Sequence, residues 1–165
     1  MNLFVLDSDH AKNAEFHVNS HVCKMPLESA QILCTVRRLY GDDTARYKMT
    51  HKNHPCVKWA AESVYNYLWV YSYGMALCKE YTFRYGKRHA CQDVISECAT
   101  CVPMNNEFRS VDHMTTQPQC MPLQYHKDNI VDAYRAYYLG EKFDLFKWKN
   151  RLPPYWIPKN LYPKD

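Results

Sequence analysis

Two stretches of this chain repeat apolar residues every three or four positions, and that spacing confines it to a helical fold. Val18, Val22, Met25, Ile32, Leu33 and Val36 make the first stripe. Val57, Ala60, Val64, Tyr67, Leu68, Tyr71, Met75 and Cys78 make the second. A period near 3.6 gathers such residues on one side of a helix, whereas a half-buried strand alternates by two. Asp7, Ser8 and Asp9 offer capping oxygens, so a first helix is expected from about His10 to about Leu39. Pro26 either kinks it or opens a second helix in its first turn. Gly41-Asp42-Asp43 ends the unit, residues 42–54 read as a polar loop, and Pro55 opens a helical segment that Gly86 stops after Tyr85. A short helix at about 91–98 precedes a long irregular connection. The last helix runs from about Asp128 to Leu139, with a continuation past Gly140 to Trp148 left open. Residues 3–6, LFVL, are either a brief strand or an arm laid on the core, and the four-proline tail from Arg151 onward is expected to be extended. The expected class is all-α, a single helical domain over residues 1–165.

The chain has 165 residues, 47% hydrophobic and 23% charged, enough for a real core and wrong for disorder. No apolar run approaches the roughly 18 residues of a membrane span. The opening MNLFVLDSDH has neither a basic region ahead of its apolar run nor a small-residue cleavage site, so it reads as a mature N-terminus. A cytoplasmic protein without a membrane partner is therefore expected, and its eight cysteines are expected to be free thiols. Cys23, Cys34 and Cys78 sit among apolar residues and read as core fillers. The net charge of +4 resides in the tail, where Lys142, Lys147, Lys149, Arg151, Lys159 and Lys164 face only Asp144 and Asp165.

Chemistry concentrates first on the opening helix. His10, His17, His21, Lys24 and Glu28 are spaced 7, 4, 3 and 4 and share one helix face. Three imidazoles, an ammonium and a carboxylate make a poor core face. They make either a solvated stripe or a site for acid, base or ligand work. Thr50-His51-Lys52-Asn53-His54-Pro55 gathers donors ahead of a helix N-terminus, where anions such as phosphate are favoured. His51 and His54 are also weak metal ligands in combination with the first helix. Cys98 and Cys101 have zinc-like spacing that Cys91 and Cys120 complete as a weak four-sulfur set. Tyr81, Arg84, Tyr85, Lys87, Arg88 and His89 mix rings with cations. So do Trp148, Lys149, Arg151, Tyr155, Trp156, Lys159 and Tyr162 in the tail. Cations neutralise phosphates and rings stack on bases, although each cluster also suits packing on the protein itself.

Several of these residues fall in segments that resemble phage-encoded small proteins. The matching segments are Met1–Asp7, His21–Glu28, Thr50–Trp69, Glu80–Lys87 and Ala133–Lys149. That group is distantly similar to the pyrimidine-dimer DNA glycosylases with abasic-site lyase activity. The similarity rests on a histidine seven residues before a glutamate on the first long helix (His21 and Glu28), on Asn53, His54, Pro55 and Trp59 opening the next helix, and on an aromatic, basic tail. It implies an all-helical enzyme that acts on damaged or modified pyrimidines in DNA without a cofactor, in a phage's host cytoplasm. An N-terminal amine would attack the sugar C1′, Glu28 would steady the sugar cation and His21 would position or protonate. Asn2 stands where those enzymes carry threonine, so Met1 is the residue expected to supply the amine. Leu27, Pro26 and Gln31 replace flanking arginines, leaving Lys24, Arg37, Arg38 or the His51–His54 loop to meet phosphate. The DNA-facing set thus comprises His17, Lys24, His51, Asn53, His54, Arg84, Lys87, Arg88, Lys149 and Trp156. Two other readings use the same residues: a hydrolase acting on a nucleotide or signalling nucleotide, and a non-catalytic nucleic-acid-binding module.

Overall fold

A computed structural model describes residues 1–162, apart from the Glu107 side chain; Lys164 and Asp165 of the basic tail lie outside the described residues. The elements run α1 (His10–Phe16), α2 (Asn19–Leu39), α3 (Pro55–Ala60), α4 (Val64–Tyr85), α5 (Gln92–Thr100), α6 (Asn106–Ser110) and α7 (Ile130–Glu141), with three single 3₁₀ turns after residue 120. The fold is all-α, and among the described residues there is no strand. No helix among them is long and apolar enough to cross a membrane.

The break in the opening helical unit falls at His17 and Val18, both extended, and Pro26 lies inside α2. Side chains explain why. The His17 imidazole Nδ1–H donates to the Asn13 carbonyl at 2.6 Å. That carbonyl is the one a continuing helix would give to the His17 backbone N–H, which turns instead to Ala14 at 3.2 Å. Val18 then buries completely. The second unit is also two helices. Ser63 caps α4 by accepting the Asn66 N–H at 3.1 Å, so the chain turns between Ala60 and Val64. Gly86, at φ +66°, closes α4 in the left-handed conformation that glycine adopts without strain.

Helix α4 is the central column, with α1, α2, α3 and α5 packed around it. Gly74 lets α4 approach α2 and α5 closely: a Cβ there would lie 2.9 Å from Ser29 Cβ on α2 and 3.1 Å from Ile95 on α5. The LFVL segment is an arm. Leu3, Phe4, Val5 and Leu6 are all buried, each worth about 1.5–3 kcal/mol of removed apolar surface. Its end is pinned by Asn13 Oδ1, which accepts the Leu6 N–H at 2.8 Å, and by Arg135, which donates to the Leu6 carbonyl at 2.9 Å. This arm carries the amino end of the chain onto α2.

Candidate active site

Glu28 lies in the middle of α2 and is only 6% exposed. A carboxylate there must find donors or be strongly penalised. The arm supplies them. The Asn2 backbone N–H donates to Oε2 at 2.8 Å, and the Met1 α-amine stands 3.9 Å from the same oxygen. Lys24, one turn earlier on α2, reaches Oε1 with its Nζ at 3.2 Å while remaining largely exposed. A buried carboxylate, the head of the chain and a solvent-facing ammonium therefore meet at one point. Such a group can accept a proton from an amine and stabilise a nearby positive charge.

His21, two turns before Glu28, is buried as well. Its Nδ1 lies 2.6 Å from the Tyr138 hydroxyl of α7, and its ring stacks on Phe4 with centroids 4.4 Å apart. Burial, then the positive neighbours His17, Lys142 and Lys24, push its pKa down to about 3. At neutral pH it is an uncharged imidazole, suited to holding the arm and Tyr138 rather than to delivering a proton as imidazolium. His17 is fully buried, its Nε2 accepting from the Tyr73 hydroxyl at 3.0 Å, and burial lowers its pKa to about 4. It is a core histidine, which removes it from any DNA-facing surface. Three imidazoles on one stripe thus divide between the core and the half-buried His10, whose ring meets Trp69.

The expected anion site before α3 is not built as the sequence suggested. Helix α3 has only six residues, and His54 Nδ1 already accepts the Cys56 N–H at 3.2 Å as its cap. His51 and Asn53 are exposed, with His51 at φ +49° and its Nδ1 2.6 Å from the Thr50 hydroxyl. Arg84 is also removed from the DNA-facing set. It is 1% exposed and donates to Glu80, to Asn19 and to the Glu15 carbonyl. Arg37 is bound to Asp42 and Glu97, and Arg38 donates to the Ala45 and Tyr47 carbonyls, so both tie loop to helix instead of waiting for phosphate. Lys87 and Arg88 are exposed, Arg88 paired with Asp93. Lys149 is exposed and lies over the Tyr85 ring at 5.1 Å. Trp156 docks on the protein, edge-on to Phe16 and Tyr138 with Arg135 over its ring.

The four-sulfur set does not assemble. Cys91 meets the Tyr47 hydroxyl at 3.4 Å, Cys98 meets Arg37 at 3.9 Å, and Cys101 lies against its neighbour Thr100. Cys120 sits instead beside Cys56, their sulfurs 3.5 Å apart. A cavity of about 540 Å³ between α1, α4 and Arg151 is lined by His10, Tyr71, Lys79 and Phe83 and does not include Glu28. A second, of about 440 Å³, opens next to Glu28's neighbour Leu27 and is lined also by Gln31, Tyr47 and Thr50.

Sequence reasoning passed over four participants: Asn2, Phe4, Cys56 and Tyr138. Asn2 figured only as a departure from the threonine of the resembling enzymes, yet its backbone binds Glu28 and its side chain binds Cys120 and Tyr134. The recurrence of tyrosines at Tyr134, Tyr137 and Tyr138 was the available signal for the partner of His21.

No curated protein and no solved structure matches the chain. The model of the pyrimidine dimer DNA glycosylase family matches residues 1–93, more than half of the sequence. That span contains the arm, α1 to α4, Glu28 and both of its cationic neighbours. The chain belongs to the pyrimidine dimer DNA glycosylase family.

Proposed function

We propose that this protein is a DNA glycosylase with associated abasic-site lyase activity, acting on damaged or modified pyrimidines, with the α-amine of the arm as nucleophile. One observation carries the reading: the first two nitrogens of the chain lie against a buried carboxylate, at 3.9 Å for Met1 and 2.8 Å for Asn2. If Met1 is kept, its amine is one short movement from Glu28. If Met1 is removed, the nitrogen that becomes the amine is the one already bonded to Glu28.

The chemistry follows from that pairing. The amine's lone pair forms a bond to the sugar C1′ as the C1′–base bond breaks, and the base leaves with the electron pair and takes up a proton. Glu28 faces the cationic character that develops at C1′ and receives the proton the amine gives up. The nitrogen lone pair then opens the sugar, breaking the C1′–O4′ bond as O4′ takes up a proton, and the C1′ iminium so formed acidifies C2′; loss of a C2′ proton breaks the C3′–O bond, expels the 3′ phosphate and cuts the strand, and water adds to C1′ to release the amine. A nucleotide held in a duplex reaches such a buried carboxylate only by leaving the stack. Lys24, Lys87, Arg88 and Lys149 are the exposed cations of the DNA-facing set, and His51 and Asn53 are exposed as well.

Borohydride reduction in the presence of abasic-site duplex tests this reading. The expected product is a covalent protein–DNA adduct that maps to residue 1 or 2. An adduct on Lys24 would overturn the assignment of the amine, and the absence of any adduct would overturn the lyase. Binding of a mononucleotide with little salt dependence, in place of duplex binding that weakens steeply with salt, would favour the nucleotide hydrolase.

A further inference from the structure

We propose that His54, Cys56 and Cys120 form a binding site for a thiophilic divalent cation, with Zn²⁺ the best fit. One imidazole nitrogen of His54 and the two sulfurs all lie within 4.8 Å of one another. The sulfurs are 3.5 Å apart. Tetrahedral zinc with sulfur ligands at about 2.3 Å sets its two sulfurs about 3.8 Å apart, and a nitrogen ligand about 3.6 Å from each. The observed triangle therefore needs only small side-chain movements to close on an ion.

The fold holds the three ligands in place in addition to the contacts they make with one another. His54 and Cys56 flank the start of α3, and Cys56 is fully buried. Cys120 comes from the long connection before α7, and its backbone is fixed at both ends. Its carbonyl accepts from the Asn2 side-chain amide at 2.9 Å, and its N–H donates to the buried Tyr134 hydroxyl at 3.3 Å. Tyr134 in turn donates to Asn2 Oδ1 at 2.8 Å. A segment more than sixty residues away in sequence is thus brought to the head of α3 in a defined position.

Donor chemistry selects the ion. Two thiolates and an imidazole, with no carboxylate in the cluster, suit zinc and other soft cations and are wrong for magnesium or calcium. Binding costs the two thiol protons. It also costs the cap, because His54 Nδ1 accepts the Cys56 N–H at 3.2 Å. A metal taken at Nδ1 replaces that bond, and one taken at Nε2 moves the ring proton to Nδ1 and removes the acceptor. Three protein ligands leave a fourth position for water or another donor. A bound ion would clamp the connection containing Cys120 onto the same Asn2 that holds Glu28.

The test uses the full chain, reduced and stripped of metal, titrated with Co²⁺ and then Zn²⁺. One equivalent of Co²⁺ is expected to give a sulfur-to-cobalt charge-transfer band that Zn²⁺ abolishes, and Zn²⁺ is expected to raise Tm. Cys120→Ser should lose the band and weaken Zn²⁺ affinity at least tenfold, and His54→Gln should weaken it similarly. Cys101→Ser, outside the cluster, should leave both unchanged. Cys120 is only partly buried, so its variant keeps the test open even if Cys56→Ser fails to fold. Absence of stoichiometric binding, binding indifferent to Cys120→Ser, or a Cys56–Cys120 disulfide in protein kept under reductant would overturn the proposal. None of these readouts depends on DNA cleavage, so the metal site stands or falls apart from the lyase.

Discussion

Glu28 and Glu80 are both buried carboxylates on long helices, and they differ in what closes over them. Each is buried on a long helix, at 6% and 4% exposure, and each has a cation one turn away, Lys24 before the first and Arg84 after the second. Glu80 is saturated. Arg84 donates to Oε1 at 2.6 Å, and Arg151 from the tail donates to Oε1 and Oε2 at 3.0 and 2.8 Å. Burial works to raise the Glu80 pKa, but the hydrogen bonds from Arg151 and Arg84 overcome it and hold the carboxyl below its ordinary value. Among the described residues no guanidinium is paired with Glu28. Its partners are a backbone N–H, an exposed lysine and an amine at 3.9 Å, too long for a hydrogen bond. Arginine forks fix a carboxylate in place, whereas primary amines can move, lose a proton and attack. The difference separates a carboxylate that holds α4 to the tail from one able to take part in a reaction.

The sharpest way to break that comparison is to remove one cation or carboxylate from each pair. Arg84→Ala leaves Glu80 buried with only Arg151, and breaking such a pair costs about 3–5 kcal/mol of stability. Urea unfolding measures it, and a loss under about 1 kcal/mol would show that the Glu80 cluster is not structural. Glu28→Gln keeps shape and one acceptor while losing the charge. Strand cleavage on irradiated duplex is expected to fall about 10²–10⁴-fold, the range for a lost acid–base group. Its unfolding midpoint should move far less than that of Arg84→Ala. Similar unfolding in the two variants would erase the distinction.

How much of this was legible beforehand depended on the kind of contact. The stripes from Val18 to Val36 and from Val57 to Cys78 specified helices because periodicity is a local property. The breaks at His17 and Ala61 were not legible, because they are made by a buried imidazole reaching its own backbone and by a serine cap inside an apolar run. Glu28 and His21 could be marked from their spacing, but the same reasoning placed His17 and Arg84 on a surface that both avoid. A histidine and an arginine on a polar-looking face are indistinguishable in sequence from site residues until their partners arrive. Those partners, Tyr73 on α4, Glu15 on α1 and Asn19 at the start of α2, come from elsewhere in the fold. The cysteines illustrate the same limit. Spacing linked Cys98 to Cys101, while packing brought Cys120 to Cys56.

A smaller effect concerns the two buried histidines, His17 at the end of α1 and His21 on α2. His17 and His21 have folded pKa values of about 4 and about 3, both depressed by burial. The unfolded chain therefore takes up protons below about pH 6.5 that the folded chain refuses, so stability falls as pH falls. The window runs from about 6.5 down to about 3–4, and each histidine contributes a loss of about 2 kcal/mol between pH 6.5 and 5. Glu80, held below its ordinary value by Arg151 and Arg84, gives up its contribution only toward the acid end of that window, so the loss between pH 6.5 and 5 comes chiefly from the buried imidazoles. A His17→Phe variant should flatten the slope of stability against pH; an unchanged slope would mean that the imidazoles are accessible to protons in the folded state.

The smallest expected change is also the one that most directly separates the two glutamates. Lys24 is the Glu28 counterpart of Arg84, but its side chain is 65% exposed where that of Arg84 is fully buried. An exposed helix pair of this spacing is worth about 0.3–0.5 kcal/mol, because water screens the charges and the long side chain loses entropy on pairing. Lys24→Ala should therefore lower unfolding stability in urea by no more than that, about a tenth of the Arg84→Ala effect. Its consequence should appear in DNA binding instead. If Lys24 leaves Glu28 to neutralise one phosphate, the variant weakens duplex affinity and reduces the slope of log affinity against log salt by about one. A large stability loss with an unaltered salt slope would make Lys24 a structural partner like Arg84, and the two carboxylates would then differ only in the amine that faces one of them.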